Sequence, residues 1–307
     1  MEIVINELNS NNTKKRWFAG QSRYDTMTDV KFFDDTTLVL SNRMAAVLHL
    51  VEFNLCTGSF TILDRLLLRY EKGPRVLTPT GSKKVSYTKL VDHINIQRNR
   101  IYYVSLDNTI GIVDIINRKF VKRSLLQIKD RVYFHGIDFH PSNPNLAYLS
   151  GALHTPKLVL LNMTTVAVQS IILPGLEGRV IKATRFLDKK HLVVIAGGGR
   201  ISSTEDEKTR SYDGYIGVYS LPDFKCLDLV TLTVAQSDDV AVYNGFIYAI
   251  TQGQSVAIVL KYEFDGSKLK KLDEFVVGGF PHGIDVRNGV LAVTSMTRSS
   301  VQLIRLT

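Results

Sequence analysis

The 307-residue chain has little cysteine and almost no tryptophan: Cys56, Cys226 and Trp17 are the whole supply. Two isolated cysteines, with no Cys-x-x-Cys pair, exclude a disulfide framework and a cysteine zinc site. No apolar run approaches the ~20 residues that span a bilayer, and "MEIVINELNSNNTKKRW" lacks the basic start and apolar stretch of a signal peptide. The expectation is a soluble chain in a reducing, cytoplasmic compartment. Without a secretory signal, the sequons at Asn11 and Asn162 carry little weight. No Gly-x-Ser-x-Gly elbow occurs. Gly197-Gly198-Gly199 is followed by neither Lys-Ser/Thr nor a helix start, so it is not a phosphate loop. Helical periodicity is nearly absent.

What is present is charge and short strands. The formal net charge is +9, which favours anionic partners such as acidic glycan, nucleic acid or a phosphorylated ligand. The bland counterpart is a solvated basic surface, because Lys and Arg are dispersed and the longest basic run is Lys14-Lys15-Arg16. No RNP-like aromatic pattern or basic helix supports nucleic acid.

Apolar or alternating runs of about 5 to 8 residues recur between turn residues, the signature of strands, and they group in fours. One unit reads "VDHINIQ", "RIYYVSL", "TIGIVDIIN", "KFVKRSLLQI"; the next reads "FHGIDFH", "NLAYLSG", "KLVLLNM", "AVQSIILP". The anchors Val30, Ile94, Ile137, Thr184, Val240 and Ile284 recur every 43 to 64 residues or so, a spacing that fits four-stranded propeller blades with variable loops. The sixth unit ends one strand short, and "EIVINEL" near the amino terminus is the candidate fourth strand. Closing the ring in this way removes exposed sheet edges. The expectation is an all-β, six-bladed β-propeller of four-stranded blades over residues 1–307, its last blade closed by an N-terminal strand. A two-sheet sandwich is the alternative, but it gives no reason for grouping in fours.

Pro281-His282-Gly283-Ile284-Asp285-Val286, followed by Arg287-Asn288-Gly289, resembles the "P-x-G-I-x-V…G-x-L-x-V" blade start of the six-bladed β-propeller superfamily that includes NHL-repeat, YWTD and SMP-30/lactonase-like proteins. The resemblance covers the whole chain as architecture and two blades as motif, and it implies fold more than function. WD40 proteins match less well, since no blade carries a Trp-Asp ending. SMP-30-type lactonases carry Glu in the first blade where this chain has Thr28, so that metal site is not implied. The His pair is more similar to the His-rich mouths of metal-dependent propeller lyases acting on uronic-acid glycans.

In a propeller, the inner strand of every blade starts beside the central channel. Two residues before each anchor lie Thr28, Asp92, His135, Lys182, Asp238 and His282. Five of the six are titratable, the kind of gathering that marks a working cleft; the plain alternative is the polar lining of a wet channel. Blades 3 and 6 face each other across a six-membered ring, as do blades 2 and 5, so the two His and the two Asp are each expected to oppose one another. His135, His282, Asp92 and Asp238 are therefore the candidate catalytic residues, and the same four are candidate ligands for one divalent metal ion. In a metal-free version a His acts as general base while Lys182 or an Arg stabilises developing negative charge.

Loops on the same face add Asn42, Arg43, Asp107, Asn108, His154, Gly199, Arg200, Gln252, Gln254, Thr297 and Arg298, and the segment before blade 1 adds Trp17, Arg23 and Tyr24. Lys182, Arg43, Arg200, Arg298, His154, Trp17 and Tyr24 are the candidate substrate-binding residues, a basic and aromatic set suited to an anionic sugar. For Trp17, covering the seam between blades 6 and 1 is an equal reading. The polar insertion 197–217 is expected to overhang the mouth, and 70–89 is a second long connection. His140 falls in a turn on the opposite face, and His49 and His191 read as structural.

Two functions follow as expectations. One is an enzyme acting on an anionic carbohydrate or lactone by lyase or hydrolase chemistry at the channel mouth. The other is a non-catalytic scaffold that binds a protein or glycan on the same face.

Overall fold

The computed structural model describes residues 6–8, 27–42, 46–68, 76–78, 81–83, 91–105, 109–128, 133–152, 157–197, 214–232, 237–252, 257–296 and 300–306. They form six four-stranded antiparallel sheets and one short hairpin. Blade 1 holds β2 (Met27–Phe32), β3 (Thr37–Asn42), β4 (Val47–Asn54) and β5 (Ser59–Leu67). After the hairpin β6 (Val76–Thr78) and β7 (Gly81–Lys83), blade 2 holds β8 (Val91–Gln97), β9 (Arg100–Ser105), β10 (Thr109–Ile116) and β11 (Lys119–Gln127). Blade 3 holds β12 (Tyr133–His140), β13 (Asn143–Ala152), β14 (Leu158–Asn162) and β15 (Val168–Ile171). Blade 4 holds β16 (Ile181–Phe186), β17 (His191–Ala196), β18 (Gly214–Ser220) and β19 (Cys226–Leu232). Blade 5 holds β20 (Val240–Tyr243), β21 (Phe246–Gln252), β22 (Ala257–Phe264) and β23 (Leu269–Val277). Blade 6 is β24 (Pro281–Arg287), β25 (Val290–Ser295) and β26 (Ser300–Arg305), completed by β1 (Asn6–Leu8). β1 pairs antiparallel with β26, Asn6 opposite Leu303 and Leu8 opposite Val301. The ring is thus closed by the N-terminal strand that the sequence points to.

Tight turns follow from residue type. Asn244-Gly245 and Asn288-Gly289 both take positive φ at two successive positions, as a two-residue hairpin of the I′ kind requires. These are the turns that fold the inner strand of blades 5 and 6 back onto the second.

The core is distributed among the blade interfaces. Six apolar clusters each join two neighbouring blades. The one at the closing seam sets Val290, Ala292, Val301 and Leu303 of blade 6 against Met27, Val30, Leu38 and Leu40 of blade 1. Burial falls from axis to rim: every residue of β2 is buried, whereas the middle of the outer strand β23 is exposed. A buried aliphatic side chain contributes about 1.5–3 kcal/mol, so the interfaces carry the ring. Among the described residues, no helix is long and apolar enough to cross a membrane.

His49 in β4 is buried. Burial, with Arg65 adding to it, pulls its imidazole down from 6.5 to about 3. The unfolded chain takes up this proton near pH 6.5 and the folded chain does not. The stability linked to it is therefore complete above about pH 6.5 and is lost as pH falls toward 3. At about 1.4 kcal/mol per pH unit, the site should cost about 2–3 kcal/mol by pH ~4.5. His49→Leu is expected to flatten that part of the stability–pH curve in urea titrations; a variant as pH-dependent as the parent would refute the assignment.

Candidate functional site at the channel mouth

Five of the six inner strands carry a register irregularity where they begin: at Met27/Asp29, Val91/Ile94, Phe134/Gly136, Ile181/Ala183 and Pro281/Ile284. A bulge leaves a residue unpaired and re-aims its side chain. The skipped residues are Thr28, His135 and Lys182, with Asp92-His93 and His282-Gly283 skipped as pairs. These include the positions two residues before the anchors. Both residues of a skipped pair escape strict alternation, so in blade 2 His93, one before the anchor, also reaches the channel.

The repeated His-Gly-Ile-Asp of blades 3 and 6 has a structural role. His135 Nδ1 donates to the Lys182 carbonyl of blade 4 at 2.8 Å, and His282 Nδ1 donates to the Thr28 carbonyl of blade 1 at 2.9 Å. A hydroxyl from the second strand reinforces each bond, Ser150 to Lys182 O at 2.8 Å and Thr294 to Thr28 O at 3.1 Å. The Asp of each motif then caps a backbone N–H of the next blade: Asp285 Oδ2 accepts from Phe32 N at 2.7 Å, and Asp138 accepts from Phe186 N. Inner-strand edges expose ladder groups that must be satisfied, and these residues satisfy them from the neighbouring blade. A carbonyl only accepts, so Nδ1 of both imidazoles bears the hydrogen, and in the neutral ring Nε2 bears the lone pair.

Below the imidazoles lies a buried ion network. Lys31 Nζ donates to Asp29 Oδ1 at 2.7 Å, Asp239 Oδ2 at 3.1 Å and the Ile284 carbonyl at 3.0 Å. Arg185 reaches Asp239 Oδ1 at 3.2 Å. Asp29 also accepts from Ile94 N at 2.7 Å, and Asp239 from Ile284 N at 3.2 Å, again linking one blade to the next. Burial pushes the Asp29 carboxyl up, but Lys31 and then His93 override it and hold it well below its ordinary range. For Asp239, burial is likewise outweighed, by Arg185 and Lys31. Asp138 and Asp285 go the other way, raised chiefly by burial.

Three imidazoles meet at the axis. The His93 and His135 ring centroids are 4.6 Å apart, His93 and His282 5.0 Å, and His135 and His282 5.8 Å. Burial, followed by the charges of His93, Lys182 and His282, holds His135 well below 6.5, so it is neutral at pH 7. His93 moves up, because Asp29 and Asp239 outweigh its burial. Lys182 Nζ lies 3.3 Å from Asp238 Oδ1, and its side chain keeps 19% of its surface exposed. Burial raises the Asp238 carboxyl, and Lys182, His282 and His93 bring it below its usual value.

The structure thus brings together His135, His282, Asp238 and Lys182. Asp92 lies in β8, but its side chain is outside the described residues, as are Trp17, Tyr24, Arg43, His154, Arg200 and Arg298. Thr28 is buried and bonds to Ser41 and the Val91 carbonyl. His140 packs against Tyr148 and Phe186 beside the blade 3–4 groove, away from the imidazoles. His191 pairs with Asp188 at 2.8 Å. The 70–89 connection contains the hairpin β6–β7, which the sequence reading does not foresee.

Three important residues are missing from the sequence reading: His93, Asp29 and Asp239. All occupy the position one before the anchor, where blades 3, 4 and 6 have Gly136, Ala183 and Gly283. That restriction of one position to polar or very small residues is present in the sequence and points to the layer.

No protein-family model and no curated protein matches the chain. Among solved structures, virginiamycin B lyase from Staphylococcus aureus aligns over 100% of both chains at 10% identity, with a TM-score of 0.59. The WD40 β-propeller domain of Doa1 aligns over 94% of this chain and 96% of its own at 11% identity and TM-score 0.59. The Cps50 (Swd1) β-propeller domain of Myceliophteria thermophila aligns over 94% and 99% at 11% identity and TM-score 0.56. At such identities the likeness is one of fold. The chain is a β-propeller, and its own six sheets make it a six-bladed one.

Proposed function

We propose that this propeller is an enzyme acting on an anionic carbohydrate or lactone at the channel mouth, by lyase or hydrolase chemistry. The observation that carries the reading is the convergence of three buried imidazoles from blades 2, 3 and 6 beside the ion pair of partly exposed Lys182 with buried Asp238. His135 is neutral at pH 7, and a neutral His at an axis is suited to proton transfer or to holding a metal. Lys182, at the open side, receives the anionic group of the ligand, and Asp238 orients it. The imidazoles either hold a divalent ion that acidifies water or a substrate proton, or act themselves as base and acid.

The test is turnover on a panel of uronic-acid oligosaccharides and lactones. His135→Gln should lower kcat by about 10²–10⁴, while Lys182→Met should act mainly through KM, raising it about tenfold, the scale of one lost charged contact. A parent protein without turnover on any member of the panel would overturn the enzyme reading.

A second reading, a scaffold that binds a protein partner, is favoured by one observation. Leu67, Ile116, Val121 and Leu125 on blades 1 and 2 expose 41–58% of their surface, and the outer strands β5 and β11 that carry three of them are neighbours. Exposed apolar groupings of this kind mark contact surfaces. Retained partner binding in a His135→Gln variant, with no turnover in the parent, would support this reading.

A further inference from the structure

We infer that His93, His135 and His282 form a binding site for one zinc-class divalent ion. The inference rests on the reading of the mouth as the working site and specifies its ligands. The three ligand nitrogens lie within 4.8 Å of one another. Around a tetrahedral ion with Zn–N of ~2.0–2.1 Å they would stand about 3.4 Å apart, so closure needs shifts of about 1 Å in side chains alone.

Two of the rings are already oriented through hydrogen bonds of their other nitrogen, and the third faces a carboxylate. Nδ1 of His135 and His282 is held by the Lys182 and Thr28 carbonyls, and Nδ1 of His93 faces Asp29 Oδ2 at 3.3 Å. Carbonyls and carboxylates behind the imidazoles are the usual outer support of metal-binding histidines, fixing tautomer and ring angle. His93 supplies a second, independent sign. Its residue is 2% exposed and neither ring nitrogen has a hydrogen-bond partner, Nδ1 only facing the Asp29 carboxylate, a state that is costly for a buried polar atom.

Charge and donor type narrow the ion. The Asp29 and Asp239 carboxylates lie 3.3 and 3.7 Å from His93 Nδ1, a negative setting that favours a cation at the imidazoles. Three nitrogen donors select zinc and its neighbours over magnesium or calcium, which take oxygen. Among the described residues, the other grouping of metal-ligand type, Asp29, His93 and Asp239, is filled by the Lys31 ammonium, so of the two the imidazole face is the one left for an ion. Three histidines leave a fourth position for water or a substrate oxygen, the arrangement of catalytic rather than structural zinc.

The test uses full-length protein stripped with chelator and titrated with Zn²⁺ alone, read by elemental analysis after dialysis. The expected result is one zinc per chain, with affinity reduced at least ~100-fold in His93→Gln and in His135→Gln, about the upper end seen for outer-support changes. Should either variant fail to fold, ¹H–¹⁵N correlation of the parent imidazoles decides: three histidines must shift at one equivalent. Less than half an equivalent bound, or shifts confined to half-buried His140 and His191, would overturn the site. Turnover on the anionic-sugar panel separates this outcome from the enzyme reading. Zinc bound without turnover keeps the site and removes the enzyme, and turnover undiminished in chelated protein does the reverse.

Discussion

Replacing Gly283 by alanine is expected to destabilise the protein by about 3 kcal/mol or more, the upper range for forcing atoms into a packed interior. A Cβ at this position would lie 2.4 Å from Asp29 Oδ1, 2.6 Å from Asp29 Cα and 2.8 Å from the Thr28 carbonyl. Two of those three atoms are backbone of the adjoining blade and cannot rotate away. Relief requires blade 6 to separate from blade 1, which stretches the His282–Thr28 bond and opens the apolar seam that closes the ring. Gly136 holds the same place in the blade 3 motif, but its nearest neighbours would be the Ser150 hydroxyl at 2.7 Å and the Lys182 carbonyl at 3.3 Å. A hydroxyl can turn aside, so Gly136→Ala should cost about 1–2 kcal/mol. Urea denaturation of the two variants beside the parent checks the order; a Gly283→Ala protein within about 0.5 kcal/mol of the parent would mean that the blades do not approach so closely.

The second large effect is expected at Lys31. Its side chain is 5% exposed and touches two carboxylates that are fully buried. Lys31→Met keeps most of the volume and removes the charge, leaving Asp29 and Asp239 facing each other with less compensation. Removing one partner of a buried ionic group costs about 3–5 kcal/mol. The sign of the pH dependence is fixed by the same residues. In the parent, despite their burial, both carboxyls are held low by neighbouring cations. The linked stability is therefore present above their unfolded value of 3.8 and is lost as pH falls below it. In Lys31→Met both carboxyls rise and take up protons earlier. The difference between parent and variant should be greatest near pH 7 and shrink by more than half by about pH 3. A difference independent of pH would show that lost packing, not charge, sets the cost.

The ring was largely legible because its determinants are local and repeated. Apolar runs in fours and anchors at Val30, Ile94, Ile137, Thr184, Val240 and Ile284 place the inner strands, and the missing strand of blade 6 was correctly sought near the amino terminus. The site was legible by half. Counting two residues back from each anchor finds His135, Lys182, Asp238 and His282, which do converge. It passes over His93 because alternation assigns neighbouring residues to opposite faces, and the bulges that cancel the alternation leave no sharp mark in composition. The same count treats the His-Gly-Ile-Asp repeats as chemistry alone. Their cross-blade hydrogen bonds are long-range facts, 47 and 254 residues apart in sequence for the two histidines, and no local pattern encodes which carbonyl the Nδ1 will meet. The Asp29–Lys31–Asp239–Arg185 network was missed for a related reason: single charges in apolar strands look like exceptions until rotation about the axis brings them together.

The measurement closest to the central claim, that ring closure carries residues distant in sequence to one axial cluster, is a double-mutant cycle between Lys31 and Asp239, partners 208 residues apart. Stability of the parent, Lys31→Met, Asp239→Asn and the double variant, determined by urea denaturation at pH 7, should give a coupling energy of about 2 kcal/mol or more, as expected for contacting members of one buried network. Single effects that add to within about 0.5 kcal/mol would place the two residues apart and contradict the axial cluster.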